Sequence, residues 1–112
     1  MLMLPVVLRN LLGRCATRPY PRQARQPFAG SRGQLVNDAG SCILCGTCAR
    51  VCPSQCLTVS RKDGLWQYEP FACICCGVCV EACPSGSLTQ LGRWRPAVRE
   101  RERVVMEVRR EK

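Results

Sequence analysis

The sequence of 112 residues contains no histidine. This absence excludes mixed Cys/His zinc fingers and Rieske-type iron–sulfur centres, because both need imidazole ligands. It also removes the commonest acid–base catalyst of enzymes. Aromatic residues make up only 5% of the chain, and the apolar stretch at residues 1–13 is shorter than the roughly 20 residues of a membrane-spanning helix. Thiolates are therefore the main candidate metal ligands.

Cysteine, by contrast, is abundant, with 11 residues in the chain. Such a density indicates either a disulfide scaffold or a metal-bound protein. The count is odd, and no apolar secretory segment ends in a small-residue cleavage site, so the disulfide interpretation is the weaker one. A chain of this length is also near the lower limit for stability from an apolar core alone. Bound metal would supply the missing stabilisation.

Charge divides the chain into three parts. Residues 1–37 hold six arginines and no acidic residue, residues 38–92 hold three basic and four acidic residues, and residues 93–112 hold eight basic and four acidic residues. We predict an N-terminal docking arm at 1–37, a metal-binding domain at 38–92 and a charged C-terminal tail at 93–112. Basic arms suit acidic partner surfaces or anionic lipid headgroups.

The N-terminal arm has two sections. Residues 1–14 contain leucines near one helical face, which predicts a short amphipathic docking helix; a cleaved mitochondrial presequence is the alternative, because the segment is rich in arginine and free of acid. Residues 17–33 contain Pro19, Pro21 and Pro27, and such a segment is expected to be extended. It needs a surface on which to lie.

The centre of the chain is an internal repeat. Residues 42–59 and 73–90 align without gaps at an offset of 31 and match at ten of eighteen positions, which predicts a pseudo-twofold fold. Between the two copies, residues 57–59 and 65–68 form short alternating runs separated by Asp63-Gly64. Asp-Gly between such runs is a hairpin signal, and Pro70 is expected to end the second strand.

Each copy carries four cysteines at C-x2-C-x2-C-x3-C-P spacing, namely Cys42, Cys45, Cys48 and Cys52, then Cys73, Cys76, Cys79 and Cys83. Three thiolates at this spacing can wrap a loop around one cluster, and Gly46 and Gly77 would relieve the turn by adopting positive φ. We expect Pro53 and Pro84 to end the helix that follows, and the apolar residues around the clusters to be Ile43, Leu57, Ile74, Val78 and Leu88. One C-x2-C could bind zinc, but two complete runs favour iron–sulfur clusters over zinc or disulfides.

Three cysteines lie outside the two runs. Cys56 aligns with Ser87 in the repeat, and Cys75 aligns with Leu44. Because neither counterpart binds metal, we predict that Cys15, Cys56 and Cys75 are small buried thiols rather than ligands.

The spacing of the two runs resembles that of bacterial two-cluster ferredoxins. The resemblance implies an α+β fold of the small 2[4Fe-4S] ferredoxin type, with extended N- and C-terminal arms added in this chain. It also implies two 4Fe-4S clusters with crossed ligands, because in such folds the fourth cysteine of each run binds the other cluster. Cluster 1 would then take Cys42, Cys45, Cys48 and Cys83, and cluster 2 would take Cys73, Cys76, Cys79 and Cys52.

Residues 17–92 resemble the two-cluster iron–sulfur subunit of membrane-bound nickel–iron hydrogenases, formate hydrogenlyase and respiratory complex I. The resemblance rests on both cysteine runs and on the preceding segment with Thr17, Tyr20-Pro21, Pro27 and Arg32-Gly33. The gap of 19 residues between Pro53 and Cys73 resembles the hydrogenase branch. The family implies a non-catalytic electron-transfer subunit that contacts a small electron-transfer subunit, a catalytic large subunit and a membrane arm, peripherally on the cytoplasmic face of a membrane.

Two other functions remain as alternatives. A free-standing 2[4Fe-4S] ferredoxin is usually acidic and lacks basic arms, so the charge disfavours it. A zinc protein that binds nucleic acid is disfavoured because the arms have few aromatic residues for stacking and no recognition motif. We therefore expect no nucleic-acid partner.

Overall fold

The structure is a computed structural model, and it describes residues 3–108. In this range the chain forms three helices and five short strands. The helices are α1 (Leu4–Leu12), α2 (Thr47–Val51) and α3 (Val78–Glu81). The strands are β1 (Leu35–Asn37), β2 (Leu57–Ser60), β3 (Leu65–Tyr68), β4 (Leu88–Gln90) and β5 (Val104–Glu107). The predicted α+β class is confirmed.

The strands form two small antiparallel sheets. One pairs β1 with β4, and the other has the order β2-β3-β5. The predicted hairpin is the β2-β3 pair, in which Leu57 faces Tyr68 and Ser60 faces Leu65. Gly64 closes its turn with a φ of +69°, a conformation that costs glycine little. β3 ends at Tyr68, two residues before Pro70.

The pseudo-twofold repeat extends beyond the two cysteine runs. An offset of 31 carries Leu35 of β1 onto Trp66 of β3, and Asn37 onto Tyr68. The pairing registers agree: Asn37 faces Leu88 in one sheet, and Tyr68 faces Leu57 in the other. Each repeat unit is therefore a strand, a cysteine loop, a helix and a second strand. Since β1 pairs with β4, the first and last strands of the two units hold the domain together.

The core lies between the two sheets and the two short helices. Trp66 and Leu44 are its most deeply buried side chains, at 1% and 2% exposure. Trp66 and Tyr68 both point inward from β3, with ring centroids 5.9 Å apart. Cys48 and Cys79 belong to the same buried cluster. Two ligand candidates are thus part of the core itself, as expected where the metal site replaces apolar volume.

Segments expected to be arm and tail also contribute strands to the domain. β1 starts at Leu35, and β5 pairs along β3 with Val104 opposite Tyr68. Gly33 packs closely on the tail, since a Cβ atom there would lie 2.4 Å from the Arg93 carbonyl oxygen. The folded part therefore reaches further along the chain in both directions than the repeat alone. Helix α1, in contrast, has no buried residue.

Candidate iron–sulfur centres

The two cysteine loops have the same backbone. In each loop a non-glycine residue adopts a left-handed conformation, Leu44 and Cys75 both with φ of 53°. Gly46 and Gly77 immediately precede α2 and α3 as their N-cap residues, with φ of 75° and 81°. The positive φ predicted for these two glycines is confirmed. Left-handed turns of this kind curl the loop around a central space, so its thiols can face a common group.

A cavity joins thiols from both runs. Its walls include Cys42, Cys45 and Cys48 of the first run and Cys83 of the second. Trp66 and Leu88 line it as well. The four thiols predicted for cluster 1 therefore border one space.

The Cys79 thiol lies near the three other thiols predicted for cluster 2. The Cys79 thiol is buried, which raises its pKa to about 11, and the nearby thiols of Cys73, Cys52 and Cys76 add to that shift by charge repulsion. Cys52 comes from the first run, so this set again crosses between the two repeat units. Both sets combine three thiols of one loop with the last thiol of the other.

The donor set fits an iron–sulfur cluster. Four thiolates are the ligands that a 4Fe-4S cluster needs, and a four-iron group requires ligands around a space rather than around a single point. Within residues 3–108, no group of three or more His, Cys, Asp or Glu side chains is arranged to hold a single metal ion.

Comparison with known proteins agrees with this chemistry. Residues 41–87 match the family described as the 4Fe-4S dicluster domain. Residues 41–87 are thus similar to a ferredoxin-type 4Fe-4S dicluster domain, and we call this segment the dicluster domain for that similarity. The match begins just before Cys42 and ends after Cys83, so it includes both cysteine runs, and it agrees with two clusters.

Curated relatives extend the similarity towards respiratory complexes. The chain is 35% identical over 71 residues to NADH-quinone oxidoreductase subunit I 1 of Rhodopseudomonas palustris, covering 56% of this chain and 42% of that protein. It is 31% identical over 74 residues to NADH-quinone oxidoreductase subunit I of Methylococcus capsulatus, covering 59% and 43%. It thus spans less than half the length of these relatives. The resemblance to an iron–sulfur subunit of the complex I type is confirmed.

Two further similarities are informative. The chain is 53% identical over 34 residues to Putative ferredoxin-3 of Sinorhizobium fredii, covering 28% of this chain and 32% of that protein. Among solved structures, a chain of the membrane-bound sulfane sulfur reductase, an archaeal respiratory membrane complex, superposes with a TM-score of 0.64 at 23% identity. That likeness covers 85% of this chain and 53% of the other. It shows that the fold is shared.

The last thiol of each run in the dicluster domain has matched hydrogen-bond partners. The Cys83 sulfur lies 3.5 Å from the Ser85 hydroxyl and 3.4 Å from the Ser87 hydroxyl. Burial alone would raise the Cys83 pKa, but these hydroxyls and nearby backbone N–H groups lower it to about 6. The thiolate, which is the ligand form, is therefore stabilised.

Cys52 repeats this arrangement with one change. Its sulfur lies 3.5 Å from the Ser54 hydroxyl and 3.4 Å from the Cys56 sulfur. Burial again acts to raise the Cys52 pKa, and hydrogen bonds from Ser54 and Cys56 lower it to about 7. Cys56 itself is buried, and this burial raises its own pKa to about 12. Cys56 therefore stays a neutral thiol that can donate to Cys52.

Other ligand candidates each have their own hydrogen-bond partners. Burial raises the pKa of Cys48, and a hydrogen bond from the Trp66 side chain opposes the shift. Hydrogen bonds from the Thr47 side chain and backbone lower the pKa of Cys45. At the other site, the Cys75 backbone N–H lies 3.4 Å from the Cys73 sulfur. The donors to Cys48 and Cys45 favour negative charge on those two sulfurs.

Two arginines hold the cysteine loops from outside. Arg61 donates from Nε to the Leu44 carbonyl at 3.0 Å and from Nη2 to the Cys45 carbonyl. Arg32 donates to the Cys76 carbonyl, and it lies 3.8 Å from the Glu81 carboxylate. Sequence reasoning placed Arg32 in the docking arm and gave Arg61 no role. The motifs carried no signal for these contacts, because each arginine is distant in sequence from the loop it binds.

The apolar residues assigned to the cluster surroundings divide into two groups. Leu57 and Leu88 are buried, as expected. Ile43 lines the first cavity, as expected for a residue beside cluster 1. Ile43, Ile74 and Val78 are nevertheless exposed at 53%, 63% and 41%, so the prediction that they exclude water is wrong for this chain. An apolar residue type alone does not reveal that exposure.

The three extra cysteines also differ from one another. Cys56 is buried, Cys75 is half-buried and Cys15 is exposed. The prediction of a buried thiol is confirmed for Cys56 and wrong for Cys15, which lies in the exposed N-terminal arm. Cys75 lines a surface groove with Phe71 and Trp94.

None of the helices in residues 3–108 is both long and apolar enough to cross a membrane.

Proposed function

We propose that this chain is an electron-transfer subunit that carries two 4Fe-4S clusters within a membrane-associated oxidoreductase complex of the complex I type. The observation that carries the proposal is the cavity where Cys42, Cys45 and Cys48 meet Cys83. Thiols from two distant runs border one space there, as a shared dicluster domain requires. When bound, a 4Fe-4S cluster accepts and releases an electron.

The ligand assignment is part of this proposal. Cys42, Cys45, Cys48 and Cys83 would hold cluster 1, while Cys73, Cys76, Cys79 and Cys52 would hold cluster 2. Crossed ligation is supported by the cavity for the first set and by the charge interactions of Cys79 with Cys73, Cys76 and Cys52 for the second. It would also link the two repeat units covalently through metal, so that cluster binding stabilises the whole domain.

The residues around the thiols would prepare them for this task. The Ser85 and Ser87 hydroxyls lie within hydrogen-bond distance of the Cys83 sulfur, and the Ser54 hydroxyl and Cys56 thiol lie within that distance of the Cys52 sulfur. Each of these groups can therefore donate to a ligand thiolate. Hydrogen bonds to cluster sulfurs and the exclusion of solvent are the means by which a protein sets reduction potentials. The buried side chains of Leu44, Trp66 and Leu88 keep water from the inner side of the first site.

Docking to partner subunits is supported by the arms. Residues 3–30 are exposed throughout, although the arm is anchored at its end by Arg32 and Gly33. Its arginines and the apolar face of α1 would meet acidic partner surfaces or the headgroup region of a membrane. We place the chain peripherally on the cytoplasmic face, in contact with a small electron-transfer subunit, a catalytic large subunit and a membrane arm.

The branch of the family is a finer proposal. The short segment of 19 residues between Pro53 and Cys73 supports a hydrogenase-type complex, whereas the matched relatives are named as subunits of NADH-quinone oxidoreductases. In either complex the chain itself would be non-catalytic. It would pass electrons between a donor subunit and the subunit that holds the catalytic metal or quinone site.

A free-standing 2[4Fe-4S] ferredoxin is the second candidate. The similarity to Putative ferredoxin-3 favours it, but that similarity covers only 28% of this chain. The exposed basic arm argues for a docked subunit instead, because a freely diffusing carrier has no use for it.

Anaerobic purification of the whole chain tests the cofactor. We expect a brown protein with eight irons and eight sulfides per chain, and with electron paramagnetic resonance signals of two clusters after reduction. A colourless protein loaded with zinc would overturn the proposal.

Affinity purification of the tagged whole chain from its native membrane tests the partners. We expect to recover a quinone-site subunit or a nickel–iron large subunit, and the identity of that subunit decides the branch. The matched control carries Arg18→Gln, Arg22→Gln and Arg25→Gln in the exposed arm; it should keep both clusters and recover less of the complex. Recovery of no oxidoreductase subunit by the unaltered chain would favour the free ferredoxin.

A further inference from the structure

Asn37 is a buried polar residue in the wall of the first cluster cavity. It lies at the end of β1, on the inward face with Leu35, and only 4% of its surface is exposed. The cavity it lines also contains Cys42, Cys45 and Cys83. Asn37 therefore lines the same space as these candidate ligands.

The amide of Asn37 has no protein partner. Neither Nδ2 nor Oδ1 makes a hydrogen bond to any group within residues 3–108. Burying an amide without a partner is unfavourable, and most buried polar side chains are hydrogen-bonded. A partner in the cavity would remove this cost. Sulfur accepts hydrogen bonds and does not donate them once ionised, so a cluster would select the NH₂ group of the amide.

The second repeat unit offers an independent comparison. Tyr68 occupies the position equivalent to Asn37, since both end the first strand of their unit and face Leu57 or Leu88 in equivalent registers. The Tyr68 side chain lies beside Cys73, a ligand candidate of the other cluster. The same backbone position thus places a side chain with a donor group beside a candidate ligand in the second half of the domain.

We propose that the Asn37 amide donates a hydrogen bond to a sulfur of cluster 1 and so raises the reduction potential of that cluster. This inference rests on the proposed ligation by Cys42, Cys45, Cys48 and Cys83. Reduction adds negative charge to the sulfurs, and a donor stabilises that charge, so the reduced form gains more than the oxidised form. Asn37 is then a residue that sets the electron affinity of one site without binding iron.

The first test is a redox titration of the whole chain carrying Asn37→Leu. Leucine has a similar volume and lacks both donors. For cluster 1 we expect the ratio of reduced to oxidised protein at a fixed potential to fall about tenfold, which corresponds to about 59 mV for one electron. The potential of cluster 2 should stay in place. Val36→Leu, on the outward face of the same strand, is the matched control and should shift neither.

Tyr68→Phe is the reciprocal variant. It removes the equivalent donor from the other half of the domain. It should therefore lower the reduction potential of cluster 2 and leave the reduction potential of cluster 1 unchanged. If Asn37→Leu keeps both clusters but shifts neither potential, or shifts both equally, the inference about Asn37 is wrong while the proposed function stands. If the unaltered chain binds no clusters, the proposed function itself fails.

A second measurement needs no variant. The chain has only two asparagines, Asn10 in the exposed helix α1 and Asn37. Asparagine labelled with ¹⁵N at the side-chain amide would place one label beside the cavity. Pulsed electron paramagnetic resonance of the reduced chain should show a ¹⁵N coupling to one cluster. Absence of that coupling would overturn the inference even if Asn37→Leu failed to assemble.

Discussion

The two halves of the dicluster domain share a backbone and differ in the side chains around each metal site. Leu44 and Cys75 have the same left-handed φ of 53°. The contacts of Cys52 and Cys83 with residues two and four positions later also agree, at 3.5 Å and 3.4 Å in both halves. The repeated loop thus determines where the ligands lie.

The hydrogen-bond donors to the candidate ligand sulfurs differ between the two sites. The first site has the Ser87 hydroxyl on Cys83 and the Trp66 side chain on Cys48, with the Asn37 amide in its wall. At the second site the Cys56 thiol takes the place of the Ser87 hydroxyl. A hydroxyl is a stronger donor than a thiol. One scaffold would then hold two equal ligand sets at different reduction potentials. We expect the potential of cluster 1 to be the higher of the two.

Removal of a crossed ligand should have the largest effect. Cys83→Ser should abolish the cluster of the first run, so its residual spectrum should match that of Cys45→Ser. The residual spectrum of Cys52→Ser should likewise match that of Cys76→Ser. Iron content should fall to about half in each case, as measured by iron analysis and electron paramagnetic resonance. If Cys83→Ser instead matched Cys76→Ser, each run would hold its own cluster and the crossed assignment would be wrong.

Truncation of Trp66 should break the core that both halves share. Trp66→Ala removes a side chain that is 1% exposed, at a cost of about 3–5 kcal/mol of stability. Faster bleaching of the cluster absorption in guanidinium chloride would report it. Trp94→Ala is the control: Trp94 is 73% exposed and makes one hydrogen bond, to the Arg32 carbonyl, so its loss should cost about 1 kcal/mol or less. Equal bleaching rates in the two variants would contradict this account of the core.

Substitution of the hydrogen-bond donors Ser87 and Cys56 should reduce the difference between the reduction potentials of the two clusters. Ser87→Ala should lower the potential of cluster 1, because Cys83 loses a hydroxyl donor 3.4 Å away. Cys56→Ser should raise the potential of cluster 2, because a hydroxyl replaces a thiol beside Cys52. We expect each shift to be below about 60 mV, a tenfold change in the one-electron ratio, in a potentiometric titration. Shifts in the same direction for both variants would refute the role assigned to these donors.

Substitution of Cys75 should have the smallest effect. Cys75 occupies the place of Leu44 in the repeat and lines a groove with Phe71 and Trp94. Cys75→Ser should leave both clusters intact, because the ligands of the second site are complete without it. Iron analysis together with electron paramagnetic resonance checks this. Loss of one cluster would show that Cys75 is a ligand.

Much of the metal site could be read from the order of the residues. The spacing of the cysteines restricts which thiols can meet in one loop, and glycine at positions 46 and 77 indicates a left-handed turn, because other residues pay a steric cost there. The β2-β3 hairpin followed from Asp63-Gly64 and the alternation on either side. These signals are local, so a linear pattern is enough to reveal them.

Other features followed from contacts that no local pattern encodes. Arg61 reaches the Cys45 carbonyl across 16 positions, and Arg32 reaches the Cys76 carbonyl across 44. The exposure of Ile43 and Ile74 depends on which way a left-handed loop turns its side chains. β5 joins the sheet because the charged tail returns along β3. Long-range pairing of this kind depends on the path of the whole chain.

By itself, the sequence indicated the candidate ligand residues, the pseudo-twofold repeat and the ferredoxin-type fold, because thiolate chemistry and turn geometry act over a few residues. The tertiary structure alone brought Cys83 to the loop of Cys42, Cys45 and Cys48, buried Asn37 beside them, and placed Ser87 and Cys56 at equivalent positions. These are relations between residues distant along the chain. They exist only once β1 has paired with β4 and the two repeat units have closed on each other.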